Sequence, residues 1–124
     1  MLAEEGENVW LFPDGELPVP DEGSNIEAHE ALMILNTSSK DANIKLSFYF
    51  EDKDPIENIS QIVEARRVKC IRIDHPDEIG EAKIPKRVQY ALRVESDVKI
   101  TATFGRLDTT SEKLAYYTSA WHSY

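Results

Sequence analysis

Short runs in which apolar and polar residues alternate recur along the chain, and this period-two pattern limits the possible folds more than any other feature. It places successive side chains on opposite faces of a strand, so each run predicts a half-buried β-strand. The clearest run spans residues 43–51, where Ile44, Leu46, Phe48 and Phe50 alternate with more polar residues. No segment carries a convincing amphipathic helix pattern. The sequence therefore predicts an all-β chain.

About seven or eight such runs favour an antiparallel, jelly-roll-like β-sandwich that forms a single domain over residues 1–124, with residues 1–7 frayed. Ser96 and Asp97 lie between the last two alternating runs, a spacing that predicts a tight hairpin. In the run at 67–73 the apolar phase slips after Cys70, which predicts a β-bulge. The predicted strands are 8–12, 29–36, 43–51, 58–64, 67–73, 88–94, 98–104 and 113–121, of which the last could instead open a short helix.

The formal net charge of −9 is concentrated near the N-terminus. The first 30 residues contain nine acidic residues and no Lys or Arg, whereas the acids and bases of the remaining chain balance. Phosphate would be repelled by the acidic segment, so nucleic-acid binding is not expected. An acidic surface that aids solubility explains this charge best.

Several classes of protein are excluded by what the sequence lacks. No apolar run approaches the roughly 20 residues of a transmembrane helix, and the N-terminus does not resemble a signal peptide, which favours the cytoplasm. Cys70 is the only cysteine, so no internal disulfide can form, and its apolar neighbours predict a buried, unreactive thiol. The motifs of hydrolases, nucleotide-binding proteins and zinc proteases do not occur. We therefore expect a protein that is not an enzyme and has no cofactor and no metal site; the segment from His75 to Glu78 is interpreted as a solvated loop.

Four places carry side chains with binding chemistry, and each has a structural alternative. His29 and Glu30 open an apolar strand, which they could cap, or they could line the mouth of a pocket. Arg66 and Arg67 either belong to a solvated surface or clamp an anion. Arg106 and Asp108 could pair across a turn, and Trp10 could fill the core or offer a flat face to a ligand.

The chemistry of five of these side chains is complementary. An aromatic ring, an imidazole, a carboxylate and two guanidinium groups suit a polyhydroxylated or carboxylated ligand. We therefore predict one shared polar site that contains Trp10, His29, Glu30, Arg66 or its alternative Arg67, and Arg106.

The same segments occur in an order and at a spacing that resembles the sensory rhodopsin transducer family, from about residue 9 to about residue 120. The resemblance implies a β-sandwich protomer, a cyclic homotetramer, and a soluble cytoplasmic protein that receives a signal from a membrane photoreceptor. It also implies an alternative function, the binding of a small, sugar-like ligand. The ligand-binding residues would be Trp10, His29, Glu30, Asn36, Arg66, Arg67, Arg106 and Asp108.

Exposed aromatic residues also favour an oligomer. Tyr49, Tyr117 and Trp121 lie at positions that the alternation assigns to the outer face of strands. A monomer of this size would not comfortably leave so much aromatic surface in water.

Overall fold

The computed structural model describes residues 4–19, 29–108, 115–118 and 122–123. In these ranges the chain forms eight β-strands and one 3₁₀ turn at Pro76–Glu78. Every ladder between strands is antiparallel, which confirms the predicted all-β antiparallel class. The strands are β1 Glu7–Glu16, β2 His29–Asn36, β3 Ala42–Phe50, β4 Ile56–Val63, β5 Arg67–Arg72, β6 Gln89–Asp108, β7 Ala115–Thr118 and β8 His122–Ser123.

β6 organises the fold, because it takes part in two groups of strands. Its first half pairs with β1 and β3, and its second half pairs with β2 and β7. Ser96 and Asp97 lie inside this 20-residue strand, so the predicted hairpin is wrong. The two halves do not fold back on each other because each has different partners, and neither position offers the glycine that tight hairpin turns favour. Instead, Asp97 accepts hydrogen bonds from the backbone N and the side-chain Nδ2 of Asn43, both at 2.8 Å.

The shared strand produces one strongly curled sheet, a half-barrel with one extra strand. Its longest path runs β4-β3-β6-β1-β8, while β2, β5 and β7 are attached through the second half of β6. This topology is not the predicted jelly-roll, in which eight strands form two sheets through Greek-key connections. The alternation in the sequence is the same in both cases, because a curled sheet also has an inner and an outer face.

The gap between β4 and β5 is bridged by side chains rather than by a ladder. Lys69 donates from Nζ to Oε1 of Gln61 at 2.9 Å and to the carbonyl oxygen of Ile62 at 3.3 Å. Gln61 in turn donates to the carbonyl oxygen of Glu78 at 2.6 Å, which ties the loop after β5 to β4. The long polar side chain of Lys69 therefore lies on the inner face of β5.

β5 keeps a regular register with β2, so the predicted bulge is wrong. Val68 and Cys70 face outward and Ile71 faces the core, which is simple alternation in a strand with apolar residues on both faces. Cys70 is exposed, and the prediction of a buried thiol is therefore also wrong. The prediction fails because it treats the apolar neighbours of Cys70 as one buried face, whereas they lie on both faces of the strand.

The core is centred on four aromatic rings that come from three strands, β1, β3 and β6. Phe12 and Phe104 lie 5.8 Å apart, and so do Phe48 and Tyr90, while Tyr90 meets Phe104 edge to face at 6.4 Å. Such tilted and T-shaped contacts match the quadrupoles of the rings. No helix of the described part of the chain is long and apolar enough to cross a membrane.

Candidate functional site

Glu30 is the centre of a buried polar network at one end of the sheet. Its carboxylate accepts hydrogen bonds from Nε of Arg106 at 2.8 Å, from the hydroxyl of Tyr90 at 2.8 Å, and from the backbone N of Glu16 at 3.0 and 3.2 Å. Glu30 is fully buried, and Arg106 is largely so. The register explains the contact, because Glu30 and Arg106 face each other directly across β2 and β6. A buried carboxylate with this many donors is a structural charge that the fold fully satisfies.

Burial dominates the titration of this network. It raises the pKa of Glu30 above 4.5, although hydrogen bonds from Tyr90 and Arg106 oppose the shift. The pKa of Tyr90 is raised well above 10.0, first by burial and then by the neighbouring carboxylate of Glu30. Tyr90 therefore stays protonated and serves as a donor to Glu30.

A second network lies directly beside the first one. Arg72 makes two hydrogen bonds to Asp74, from Nε to Oδ1 and from Nη2 to Oδ2, both at 2.7 Å. Nδ1 of His75 lies 2.8 Å from Oε2 of Glu78, and Oε1 of Glu78 accepts a hydrogen bond from the backbone N of Arg72 at 3.1 Å. The backbone N of Ile73 donates to the carbonyl oxygen of Glu30 at 3.0 Å, which joins the two networks. The loop that was interpreted as solvated is thus fastened to β5 by its own polar side chains.

Two of the predicted binding residues have structural partners. Trp10 is buried in the core, and its indole Nε1 donates to the carbonyl oxygens of Glu7 at 3.2 Å and Ile100 at 3.1 Å. Asn36 is also fully buried, and its Nδ2 donates to the carbonyl oxygens of Lys40, Val63 and Glu64 at 2.7–3.3 Å. Asn36 thereby fastens the loop after β2 to the turn after β4.

A cleft opens beside this turn, at the opposite end of β2 from Glu30. Its volume is about 720 Å³, and Arg66 is the predicted site residue that lines it. Asn36 lies six residues beyond Glu30 on β2, which separates the two regions by about 20 Å in an extended strand. The other lining residues are Glu4, Glu5, Asn8, Thr37, Ser38, Ser39, Lys40, Asp97, Val98 and Lys99.

The five residues predicted to share one site are therefore divided within the protomer. Glu30 and Arg106 are in direct contact, and His29 precedes Glu30 on β2. Arg66 lies at the cleft, whereas Trp10 lies in the core. The register separates Arg67 from Glu30 too, because it pairs with Asn36 at the far end of β2.

The strand β6 continues through Asp108, so no turn separates Asp108 from Arg106, and Arg106 pairs with Glu30. The side chain of Asp108 lies outside the described residues, as do those of Tyr117 and Trp121. Tyr49 is exposed, as the alternation predicts. Ligand-binding roles for the predicted residues remain predictions.

Some residues of these regions could not be identified from the sequence. Tyr90 occupies an apolar position of the predicted strand 88–94, and the pattern does not indicate that its hydroxyl bonds to Glu30. Arg72 and Asp74 have opposite charges and lie two residues apart, which in a sequence is only a weak indication of an ion pair. Lys40 lies in the loop after β2, whereas Lys99 lies on β6. No local sequence pattern therefore links either lysine to Arg66 at the cleft.

The outer face of β2 and β5 carries an exposed apolar surface. Leu35 lies opposite Val68 on β5, and Met33 lies opposite Cys70. Val68 is 67% exposed and Leu35 is 43% exposed, which is high for large apolar side chains. We call the surface formed by Met33, Leu35, Val68 and Cys70 the apolar face.

Comparisons with known proteins find one family model and similar solved structures. The family model described as Anabaena sensory rhodopsin transducer matches residues 5–123. A crystal structure of Thermotoga maritima 1070 is 29% identical and covers 95% of this chain and 97% of its own, with a TM-score of 0.77. The structure of the Anabaena sensory rhodopsin transducer is 31% identical and covers 86% of this chain and 93% of its own, with a TM-score of 0.73. No curated protein sequence matches the chain at a significant level.

Proposed function

Because this chain belongs to the Anabaena sensory rhodopsin transducer family, we propose that it is a non-enzymatic signalling protein that acts through contacts with partner proteins. The family was expected from the motifs, and the match over residues 5–123 confirms it. The observation that carries the proposal is the 31% identity to a protein named as a transducer of a sensory rhodopsin. The proposed partner is accordingly a membrane photoreceptor of the sensory rhodopsin type.

The polar networks support a binding role more than a catalytic one. The carboxylate of Glu30 is saturated by donors from Glu16, Tyr90 and Arg106, so it has no free position for a proton transfer to a substrate. Among the described residues, no group of three His, Cys, Asp or Glu could hold a metal ion. What the protomer does offer is an exposed apolar face of the kind through which proteins associate.

We place the contacts between copies of the chain on the apolar face. Its side chains are uncharged, and Leu35 and Val68 stay exposed on it among the residues that the structure describes. The proposed assembly is the homotetramer that the family resemblance implies. The photoreceptor would then bind a surface of the tetramer that lies outside the apolar face.

Binding to a photoreceptor can be tested directly. The sensory rhodopsin of Anabaena would be reconstituted in nanodiscs and titrated with the protein in an isothermal calorimeter, in the dark and under illumination. We expect saturable binding that differs between the two conditions. Nanodiscs that contain a light-driven proton pump of the same fold provide the control, and equal binding to both kinds of disc would contradict the proposal.

A second function, the binding of a small polar ligand, is favoured by the cleft. Its volume of about 720 Å³ lies within the roughly 300–1,000 Å³ of typical ligand pockets. Its lining combines hydroxyl, amide, carboxylate and cationic groups, which suits a polar molecule. A rise in the midpoint of thermal unfolding with a small sugar or a small organic acid would support this function, and no rise with any member of either class would contradict it.

A further inference from the structure

Three cationic side chains line the cleft. Lys40 and Arg66 are exposed there, and neither has an ion-pair partner among the residues that the structure describes. Lys99 lies 3.2 Å from the carboxylate of Glu4, whose side chain is 78% exposed. An ion pair so open to water contributes little to stability and exchanges its partner easily. The cleft thus contains cations that an incoming anion can reach.

The wall that carries these cations is held in place before any ligand arrives. Besides its three donated bonds, Asn36 accepts hydrogen bonds at Oδ1 from the backbone N of Ser38 at 3.0 Å and from its hydroxyl at 2.8 Å. Asp41 accepts a hydrogen bond from the backbone N of Ala65 at 2.9 Å, which joins the same two loops again. Preorganised loops spare a ligand the entropy cost of ordering them.

The backbone of Arg66 is in an unusual conformation. Its φ is 55°, in the left-handed region that residues with a Cβ rarely adopt. The turn is fixed by Asn36, whose Nδ2 donates hydrogen bonds to the carbonyl oxygens of Val63 and Glu64. Strained positions of this kind cluster at ligand clamps, where the surrounding structure maintains them. Arg66 thus occupies a turn position that favours glycine, which has a conformational cost.

The acidic groups of the cleft differ in how firmly they are held. Both carboxylate oxygens of Asp97 are engaged by Asn43, whose hydrogen bonds hold the pKa of Asp97 below 3.8. Asp97 therefore stays on the wall as a fixed charge. Glu4 is tied only by the exposed pair with Lys99 among its described contacts, so it can swing away. When Glu4 swings away, the three cations outnumber the two acidic residues that remain in the cleft, Glu5 and Asp97.

We infer that the cleft binds a small molecule through a carboxylate or phosphate group, which Lys40, Arg66 and Lys99 hold, and that Glu4 competes with this group for Lys99. The hydroxyls of Thr37 and Ser39 line the same cleft and can hydrogen-bond the rest of the molecule. The inference rests on the second proposed function and names the chemical class of its ligand. The acidic N-terminal segment then acts as a built-in competitor rather than only as a solubilising surface.

The test uses inorganic phosphate and citrate as probes of the two anion types and glucose as a neutral probe. Each is titrated into isotopically labelled protein at constant ionic strength, and backbone amide shifts are followed by NMR. We expect saturable shifts at residues 37–40, 65–66 and 98–99 with one or both anions and none there with glucose. Which anion binds more tightly distinguishes a phosphate site from a carboxylate site.

Two variants and a matched control make the test decisive. Arg66→Gly removes the guanidinium and suits the positive φ, so the fold persists while affinity falls about 10-fold. Arg87→Gly is the control, because Arg87 is also exposed, has a φ of 57° and does not line the cleft. Glu4→Gln should tighten binding about threefold, since it removes the competing carboxylate.

Four results would overturn the inference. One is anion-induced shifts spread over lysines and arginines throughout the protein, and another is equal affinity in the Arg66→Gly and Arg87→Gly variants. The third is a cleft that responds to glucose and not to the anions, which would leave the second proposed function standing. If no probe moves the cleft amides, both the inference and that function are contradicted.

Discussion

At the scale of single residues, Glu30 is the buried charge at the centre of the network with Glu16, Tyr90 and Arg106. Glu30→Gln keeps the shape of the side chain but leaves Arg106 without its carboxylate and presents a donor to groups that are themselves donors. Breaking a buried pair in this way costs about 3 kcal/mol of unfolding free energy. Urea titration measures it. The control is Glu95→Gln, whose carboxylate pairs with Arg93 at 3.2 Å but is 47% exposed, and which should cost less than about 1 kcal/mol.

Asp74 determines part of the response of stability to acid. Burial acts to raise the pKa of Asp74, but the hydrogen bonds and charge of Arg72 outweigh it and hold the pKa below 3.8. The unfolded chain therefore takes up this proton first as the pH falls. The stabilisation is complete above about pH 4 and is lost as the pH falls through the lowered pKa of the folded state.

Asp74→Asn should accordingly flatten the fall of stability at low pH. At pH 7 the variant is expected to lose about 2 kcal/mol, because Arg72 keeps only neutral partners at this position. Below pH 3.8 its curve should approach that of the unmodified protein. Unfolding midpoints in urea between pH 2 and 7 provide the measurement. Asp77→Asn, at an exposed position of the same loop, is the control, and an identical acid response in both variants would refute the role of Asp74.

At the scale of strands, β1 and β6 pack closely because Gly15 has no side chain. A Cβ at Gly15 would lie 2.4 Å from Cζ of Tyr90, the residue directly opposite in the register. Tyr90 cannot yield, because its ring is buried and its hydroxyl is bonded to Glu30. Gly15→Ala should therefore cost about 3 kcal/mol.

Gly80→Ala provides the comparison for this prediction. Gly80 has a φ of +64°, and its nearest neighbour is Cγ2 of Ile59 at 3.2 Å, the end of a side chain in a looser region. Its cost should be about 1 kcal/mol, mostly from the backbone conformation. Thermal unfolding of both variants tests the difference. A cost for Gly15→Ala no larger than that for Gly80→Ala would show that the ring of Tyr90 adapts.

Strands were predictable from the sequence where only one face is buried. The run at 43–51 corresponds to β3 at Ala42–Phe50, and β2 has the predicted bounds. Prediction failed where a long strand changes partners, because Ser96 and Asp97 look the same in a hairpin turn and inside the continuous strand β6. It also failed in β5, where Val68 and Cys70 make the outer face as apolar as the inner one. Partner choice depends on residues far away in the sequence, and the local alternation contains no information about them.

The candidate sites show the same limit. Glu30 and Arg106 belong to the predicted set because each lies at the end of a predicted strand and their charges are complementary; the structure shows that they pair directly. The cleft was not predicted, because Lys40, Arg66 and Lys99 meet only after three segments have been brought together. Chemistry that is concentrated in one segment can be recognised in the sequence, whereas chemistry assembled by topology cannot.

At the scale of the whole molecule, the proposed homotetramer depends on the apolar face. Leu35 and Val68 are directly opposite each other and are its most exposed large side chains. Their joint replacement by lysine adds two neighbouring positive charges that would have to lose their water in any contact through this face. The double variant should leave the core intact, since both side chains already point outward.

Light scattering coupled to size exclusion at micromolar concentration measures the outcome. We expect the unmodified protein to have about four times the protomer mass of 14.1 kDa and the Leu35→Lys, Val68→Lys double variant to have the protomer mass. Val19→Lys is the control, because Val19 is 38% exposed and follows β1, which pairs with neither β2 nor β5, so its variant should keep the mass of the assembly. A monomeric unmodified protein would contradict the tetramer itself. A tetramer that survives both lysines would place the contacts between copies on another surface and leave the apolar face to a different partner.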